Sequence, residues 1–228
     1  MTDLILDLDI HPKSKISMSD TFSLISPTPI ATDYPPLTLG MMASGSGSNF
    51  EAVAAAIADG SLNARIAILI YSKPGIKAID RAMARGIPAV LLDAKLYPDR
   101  QELDRAIVKT MQAYQVNCVV MAGWMRVVTQ VLINAFPDRL INIHPSLLPS
   151  FPGIRAIEQA LVAGVKISGC TVHLVSLAVD SGPIIIQAAV PVFPDDTPNT
   201  LHLRIQAQEH KILPQAIEIL SQGVESCI

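Results

Sequence analysis

From Leu37 onward the chain repeats one pattern: a short run of Ile, Val and Leu, a turn, then a longer stretch with apolar residues three and four apart. Runs at 37–43, 65–71, 88–92, 117–122 and 139–143 are too short for buried helices and rich enough in branched residues for strands. The clearest helical stretch is 100–115, where Leu103, Ile107, Met111 and Tyr114 share one face. Right-handed crossovers then stack the strands in parallel and lay the helices against them. Half of the residues are apolar and 16% are charged, which suits strands buried on both faces. The expectation is an α/β fold, a mostly parallel, open, Rossmann-like sheet with helices on both faces. Such sheets bind ligands beyond the carboxyl ends of their strands, so functional residues should gather there. Runs at 169–176 and 183–192 add two later strands, and 198–221 reads as a closing helix that Pro214 should kink or divide.

Residues 1–36 contrast with this pattern. They hold Pro12, Pro27, Pro29, Pro35 and Pro36 among many Ser, Thr and Asp, and read as an irregular Pro-rich extension before one folded domain at 37–228. A net charge of -3 gives no clustered basic surface for nucleic acid. No run of 18 apolar residues occurs, and Met1-Thr2-Asp3, followed by Asp7 and Asp9, lacks the basic start of a signal peptide, so no membrane partner is expected. Cys118, Cys170 and Cys227 are odd in number and widely spaced, which suits reduced thiols of a cytoplasmic protein.

Directly after the first strand comes Ser44-Gly45-Ser46-Gly47-Ser48-Asn49, and then an alanine-rich helix from about Phe50. The glycines permit a tight turn and close approach of a ligand, and the free amides of the helix start favour an anion. Gly47, Ser48 and Asn49 are placed to hold a phosphate, or the segment is an ordinary turn with Ser48 or Asn49 as the N-cap. No Lys follows as a nucleoside triphosphate loop requires, and the third glycine of a dinucleotide fingerprint is absent. A single phosphate fits this short turn best.

At the end of the fifth strand, Asn142 and His144 are two apart and face one side, while Ile141 and Ile143 face the other. Pro145 and Pro149 then end the ladder. A carboxamide donates to a developing oxyanion, and an imidazole donates and exchanges a proton, which is the pairing acyl transfer needs. A turn-capping Asn and a structural His would give the same two letters. Asp180, in Val179-Asp180-Ser181-Gly182-Pro183, supplies a carboxylate that would orient the imidazole and favour its charged form, although a plain turn also accounts for it. There is no Gly-x-Ser-x-Gly elbow and no Cys with a local His partner. Direct attack by a substrate amine is expected. His11, His144, His173, His202 and His210 have no metal-ligand spacing, so no metal is expected.

Four ordered motifs, SGSGSN at 44–49, AGWMR at 122–126, INIHPSLLPSFPG at 141–153 and VDSGPIIIQAAVPV at 179–192, together resemble the phosphoribosylglycinamide formyltransferases of purine synthesis, over about residues 37–220. The resemblance implies formyl transfer from 10-formyltetrahydrofolate to the amine of 5-phosphoribosylglycinamide, with Asn142, His144 and Asp180 catalytic. It implies that Gly47, Ser48, Asn49, Gln206 and Glu209 hold the phosphoribosyl substrate. It further implies that Arg100, Met125, Arg126, Val127, Val128, Asn142 and the 175–180 loop hold the folate. A monomer or homodimer acting on small molecules is expected. Two features depart from the family pattern: the 1–36 extension has no counterpart in the compact bacterial form, and Arg155 stands where relatives often carry His. Methionyl-tRNA formyltransferase and formyltetrahydrofolate deformylase use the same catalytic domain. The first is expected to need a further carboxyl-terminal domain and a basic surface, and the second a preceding regulatory domain that 36 proline-rich residues do not form. A folate- or sugar-phosphate-binding module that has lost catalysis is disfavoured by the presence of all three polar residues.

Overall fold

The computed structural model describes residues 35–222. In chain order its elements are β1 (Leu37–Ala43), α1 (Ser48–Ala58), β2 (Ala64–Tyr71), α2 (Lys77–Ala84), β3 (Ala89–Leu91), α3 (Arg100–Ala113), β4 (Cys118–Met121), α4 (Gln130–Ala135), β5 (Leu140–His144), α5 (Ala156–Ala163), β6 (Ile167–Leu174), β7 (Ile184–Pro191) and α6 (Pro198–Ser221). The strands form one sheet in the order β3-β2-β1-β4-β5-β6-β7. The order reverses at β1, the topological switch of an open α/β sheet. β3, β2, β1, β4 and β5 run parallel, as the alternating pattern predicts. β6 and β7 run antiparallel to their neighbours. The amino-terminal extension and Cys227 lie outside the described residues, apart from Pro35 and Pro36, which are irregular.

Strand periodicity divides the core in two. Leu39, Met41, Val120, Ile141 and Ile143 pack on one face with Phe50, Ile157, Leu201 and Ile212. Met42, Val119, Met121 and Leu140 pack on the other with Leu103, Ile107, Met111 and Leu132. Each such fully buried side chain contributes roughly 1.5–3 kcal/mol. Helix starts follow local chemistry. The Asp99 side chain accepts from the Glu102 amide at the start of α3, and Thr197 and Thr200 form a capping box at α6 with Pro198 in the first turn. Of the kink or division expected at Pro214, the division does not occur, and α6 continues through it as one helix. Ile212, Leu213, Ala216 and Ile217 are buried on both sides of the proline, and their packing outweighs the roughly 3 kcal/mol that an interior proline costs.

This architecture sends three connections to one place. The turn after β1, the segment after β4 and the end of β5 meet at the carboxyl edge of the parallel strands. The antiparallel register sets Asn142 opposite His173, and the loop that follows β6 carries Asp180 back across that pair.

Candidate active site

A cavity of about 520 Å³ opens at this edge. Asn142, His144 and Asp180 line it together with Gly47, Ser48, Asn49, Gln206, Glu209 and Met125 through Val128. The 175–180 loop contributes Val175, Ser176, Leu177 and Val179 as well as Asp180, and Arg155 also lines the wall. Arg100 does not. It borders a smaller neighbouring cavity that shares Trp124, Met125, Arg126 and Val127 with the main one. The sequence-predicted residues therefore gather at one place, with Arg100 one step away along the same strip.

The polar cluster is ordered by its neighbours. His144 is only 5% exposed. Its Nδ1 lies 3.2 Å from Asp180 Oδ2 and its Nε2 lies 2.9 Å from the Phe151 carbonyl, so both ring nitrogens are placed to donate. Asp180 Oδ2 also accepts from the Gly153 amide at 2.8 Å. The Asn142 amide nitrogen faces His173 Nε2 at 3.2 Å and Asp180 Oδ1 at 3.4 Å. His173 Nδ1 donates to the Leu174 carbonyl at 2.8 Å, and its Nε2 faces both the Asn142 amide and, at 3.5 Å, Asp180 Oδ1. Burial alone would push the Asp180 carboxyl up, but its contacts with His173, the Gly153 amide and His144 outweigh that and hold it below its ordinary 3.8. Asp180 stays a carboxylate wherever the protein is folded at ordinary pH.

Backbone geometry fixes the loop that delivers it. Asp180 has a left-handed φ of 50°, and across the cavity Phe151 and Arg155 have φ of 56° and 58°. Such conformations cost about 1–3 kcal/mol each in ordinary residues and persist where surrounding contacts determine them. Here those contacts are Gly153 N–H to Asp180 and His144 to the Phe151 carbonyl. Gly182 belongs to the same device, since a Cβ there would stand 1.8 Å from the Leu174 carbonyl oxygen.

At the other end of the cavity, α1 begins without a side-chain cap. Its N-cap is Gly47, left-handed at φ 71°, so neither Ser48 nor Asn49 plays the capping part the ordinary-turn reading gives them. Their side chains instead meet α6: Gln206 donates to Ser48 Oγ at 3.0 Å, and Asn49 donates to Glu209 Oε2 at 3.0 Å. Gln206 and Glu209 lie one turn apart on one helix face. Burial pushes the Glu209 carboxyl up, against the Asn49 hydrogen bond and the nearby His202. The amides at the start of α1 are left for an anion.

Three features escape the sequence reading. His173, 2% exposed, orients Asn142; it is identifiable only once β6 is known to pair antiparallel with β5 in this register. The Phe151 carbonyl and the Gly153 amide act through backbone, which leaves no trace in residue type. Ser44, buried, accepts from Met125 N–H at 3.2 Å and from Ser72 at 2.8 Å, tying the turn after β1 to the segment after β4. Among the described residues no thiol lines the site: Cys118 and Cys170 are buried outside the cavity lining, and burial pushes the Cys118 thiol up to about 12. Among the described residues no group of three His, Cys, Asp or Glu is arranged to hold a metal, and no helix is long and apolar enough to cross a membrane.

Known proteins share this fold. Residues 39–217 match the formyl transferase family model. The phosphoribosylglycinamide formyltransferase of Bacillus subtilis is 42% identical over 180 residues, which cover 79% of this chain and 92% of that protein. The trifunctional purine biosynthetic protein adenosine-3 of Drosophila melanogaster is 40% identical over 81% of this chain, which spans 14% of that longer protein. In three dimensions, the glycinamide ribonucleotide transformylase 1 of Symbiobacterium toebii superposes with a TM-score of 0.82 at 42% identity, over 86% of this chain and 94% of that one. The chain belongs to the formyl transferase family.

Proposed function

We propose that this chain transfers a formyl group from 10-formyltetrahydrofolate to the amine of 5-phosphoribosylglycinamide, giving 5-phosphoribosyl-N-formylglycinamide and tetrahydrofolate in purine synthesis. The observation that carries the reading is the convergence on one cavity of the Asn142–His144–Asp180 cluster and an uncapped helix start flanked by Ser48, Asn49, Gln206 and Glu209. The first suits acyl transfer, and the second suits a phosphorylated acceptor. The relatives named as phosphoribosylglycinamide formyltransferases support the same acceptor. The protein acts on small molecules, and a cytoplasmic location suits such a metabolic role.

The folate supplies the activated formyl group. Exposed Met125, Val127, Leu177 and Val179 give its flat ring system an apolar wall, and Arg100 and Arg126 stand along the adjoining strip for its carboxylates. The phosphoribosyl end docks at Gly47, Ser48 and Asn49, which points the glycinamide amine at the polar cluster. The neutral amine attacks the formyl carbon, and charge develops on the formyl oxygen. Asn142 stabilises that charge by turning one N–H from Asp180, its longer contact at 3.4 Å, while its other N–H stays on His173. The His144 Nε2–H exchanges the Phe151 carbonyl for the reacting atoms and, held from behind by Asp180, moves a proton to the departing folate nitrogen. The attacking amine nitrogen returns its surplus proton to His144 as the bond between the formyl carbon and the folate nitrogen breaks, so the proton lost by the amine ends on the folate and the imidazole is restored.

The acceptor is tested by steady-state formyl transfer with the glycinamide ribotide, initiator tRNA and water as alternatives. Rapid consumption of the formyl donor only with the ribotide is expected. Formate release at a similar rate without it would instead make the chain a deformylase.

A further inference from the structure

The turn after β1 is held from outside the cavity by a helix that the reaction does not touch. The first-turn amide of Ala78 in α2 lies 3.4 Å from the Gly45 carbonyl, and Arg81 Nε donates to the Ser46 carbonyl at 3.1 Å. A trans peptide points its N–H opposite to its C=O. Two successive carbonyls drawn toward α2 therefore direct the Ser46 and Gly47 N–H groups away from it. Among the described residues, Gly45 through Asn49 all line the cavity and none of α2 does. Gly47 packs so tightly on α2 that a Cβ would stand 2.7 Å from the Ala78 side chain.

Arg81 also faces a charge problem. Glu51 sits in the first turn of α1, where its carboxylate opposes an incoming phosphate. It is drawn aside by Arg85 Nη2 at 2.5 Å and by Arg81 Nη1 at 3.7 Å. One guanidinium thus turns a carbonyl out of the anion's way and covers an anion of the protein's own.

We propose that Arg81 is a positioning residue for phosphate recognition, keeping the Gly47 amide and the start of α1 open to the acceptor's phosphate without touching it. This rests on the proposed assignment of the acceptor's phosphate to that turn. The test compares wild type and Arg81→Met with 5-phosphoribosylglycinamide and with its dephosphorylated nucleoside. The variant is expected to raise KM for the ribotide roughly tenfold, the scale of one lost charge-assisted contact. Its kcat, its KM for the formyl donor and its kcat/KM on the nucleoside should stay unchanged. Arg81→Lys, which keeps the charge near Glu51 but not the directed Nε donor, should recover part of the loss and carries the test if the methionine variant folds poorly. An equal loss on both acceptors, or an unaltered KM for the ribotide, would overturn the role of Arg81. A wild type that does not distinguish ribotide from nucleoside would instead remove the phosphate assignment, and the role of Arg81 with it.

Discussion

His144→Ala is expected to lower kcat by a factor on the order of 10³ and to leave the KM for the ribotide nearly unchanged. The separation follows from the cavity's layout. In the proposed function the ribotide is anchored at α1 and α6, where Gln206 donates to Ser48 and Asn49 to Glu209, and none of these contacts involves His144. The imidazole is the group to which the proposed mechanism gives the proton transfer, with Nδ1 toward Asp180 and Nε2 toward the Phe151 carbonyl. Removing it leaves Asp180 Oδ2 still bonded to the Gly153 amide, so the loop keeps its anchor and binding survives. Steady-state kinetics with both substrates varied, alongside ribotide binding by calorimetry, checks both halves. A variant that turns over at near wild-type rate contradicts the assigned chemistry.

Asp180→Asn carries the second large effect, for a reason specific to its four contacts. The carboxylate accepts on both oxygens, from Gly153 and His144 on Oδ2 and from Asn142 on Oδ1, with His173 Nε2 standing 3.5 Å from Oδ1. An asparagine has one acceptor oxygen. Set toward Gly153 and His144, its NH₂ would face the Asn142 NH₂, donor against donor; set the other way, it would abandon His144. Either arrangement disorients a catalytic group and removes the charge behind the imidazole, so a fall in kcat on the order of 10²–10⁴ is expected. Stability should follow a defined pH course. The folded carboxyl lies below its ordinary 3.8, so ionised Asp180 stabilises the fold above that pH. The contribution is lost as pH falls through the folded value. The stability difference between wild type and variant, from denaturant titrations, should be greatest near neutrality and shrink below about pH 4. A difference that grows with acid would contradict the pairing.

What the sequence discloses here depends on how local the cause is. β1, β4 and β5 are legible because a strand buried on both faces is written as a short continuous apolar run, and the alternation of side chains along it puts Ile141 and Ile143 in one core and Leu140 in the other. The turn at 44–49 is legible because glycines and a following helix are neighbours in sequence. Its detail is not: α1 begins at Ser48 because Gly47 takes a left-handed cap, and Ser48 and Asn49 are claimed by α6 instead of capping. Continuity through Pro214 depends on packing against the sheet, which outweighs local propensity. His173 is hidden for a similar reason, since only strand pairing over a long separation places it beside Asn142. Arg100 is a near miss of the same kind: it sits at the first position of α3, facing the cavity next to the one that Asn142 and His144 share.

The central claim is that the cluster passes formyl directly from folate to the bound glycinamide amine. A single-turnover experiment with the formyl carbon labelled in 10-formyltetrahydrofolate tests it most directly, by following the label in product, in formate and on the protein. The account predicts label appearing only in 5-phosphoribosyl-N-formylglycinamide, at the rate the donor disappears, with nothing released when the ribotide is left out. Label accumulating on the protein before product, or escaping as formate without the ribotide, would contradict it.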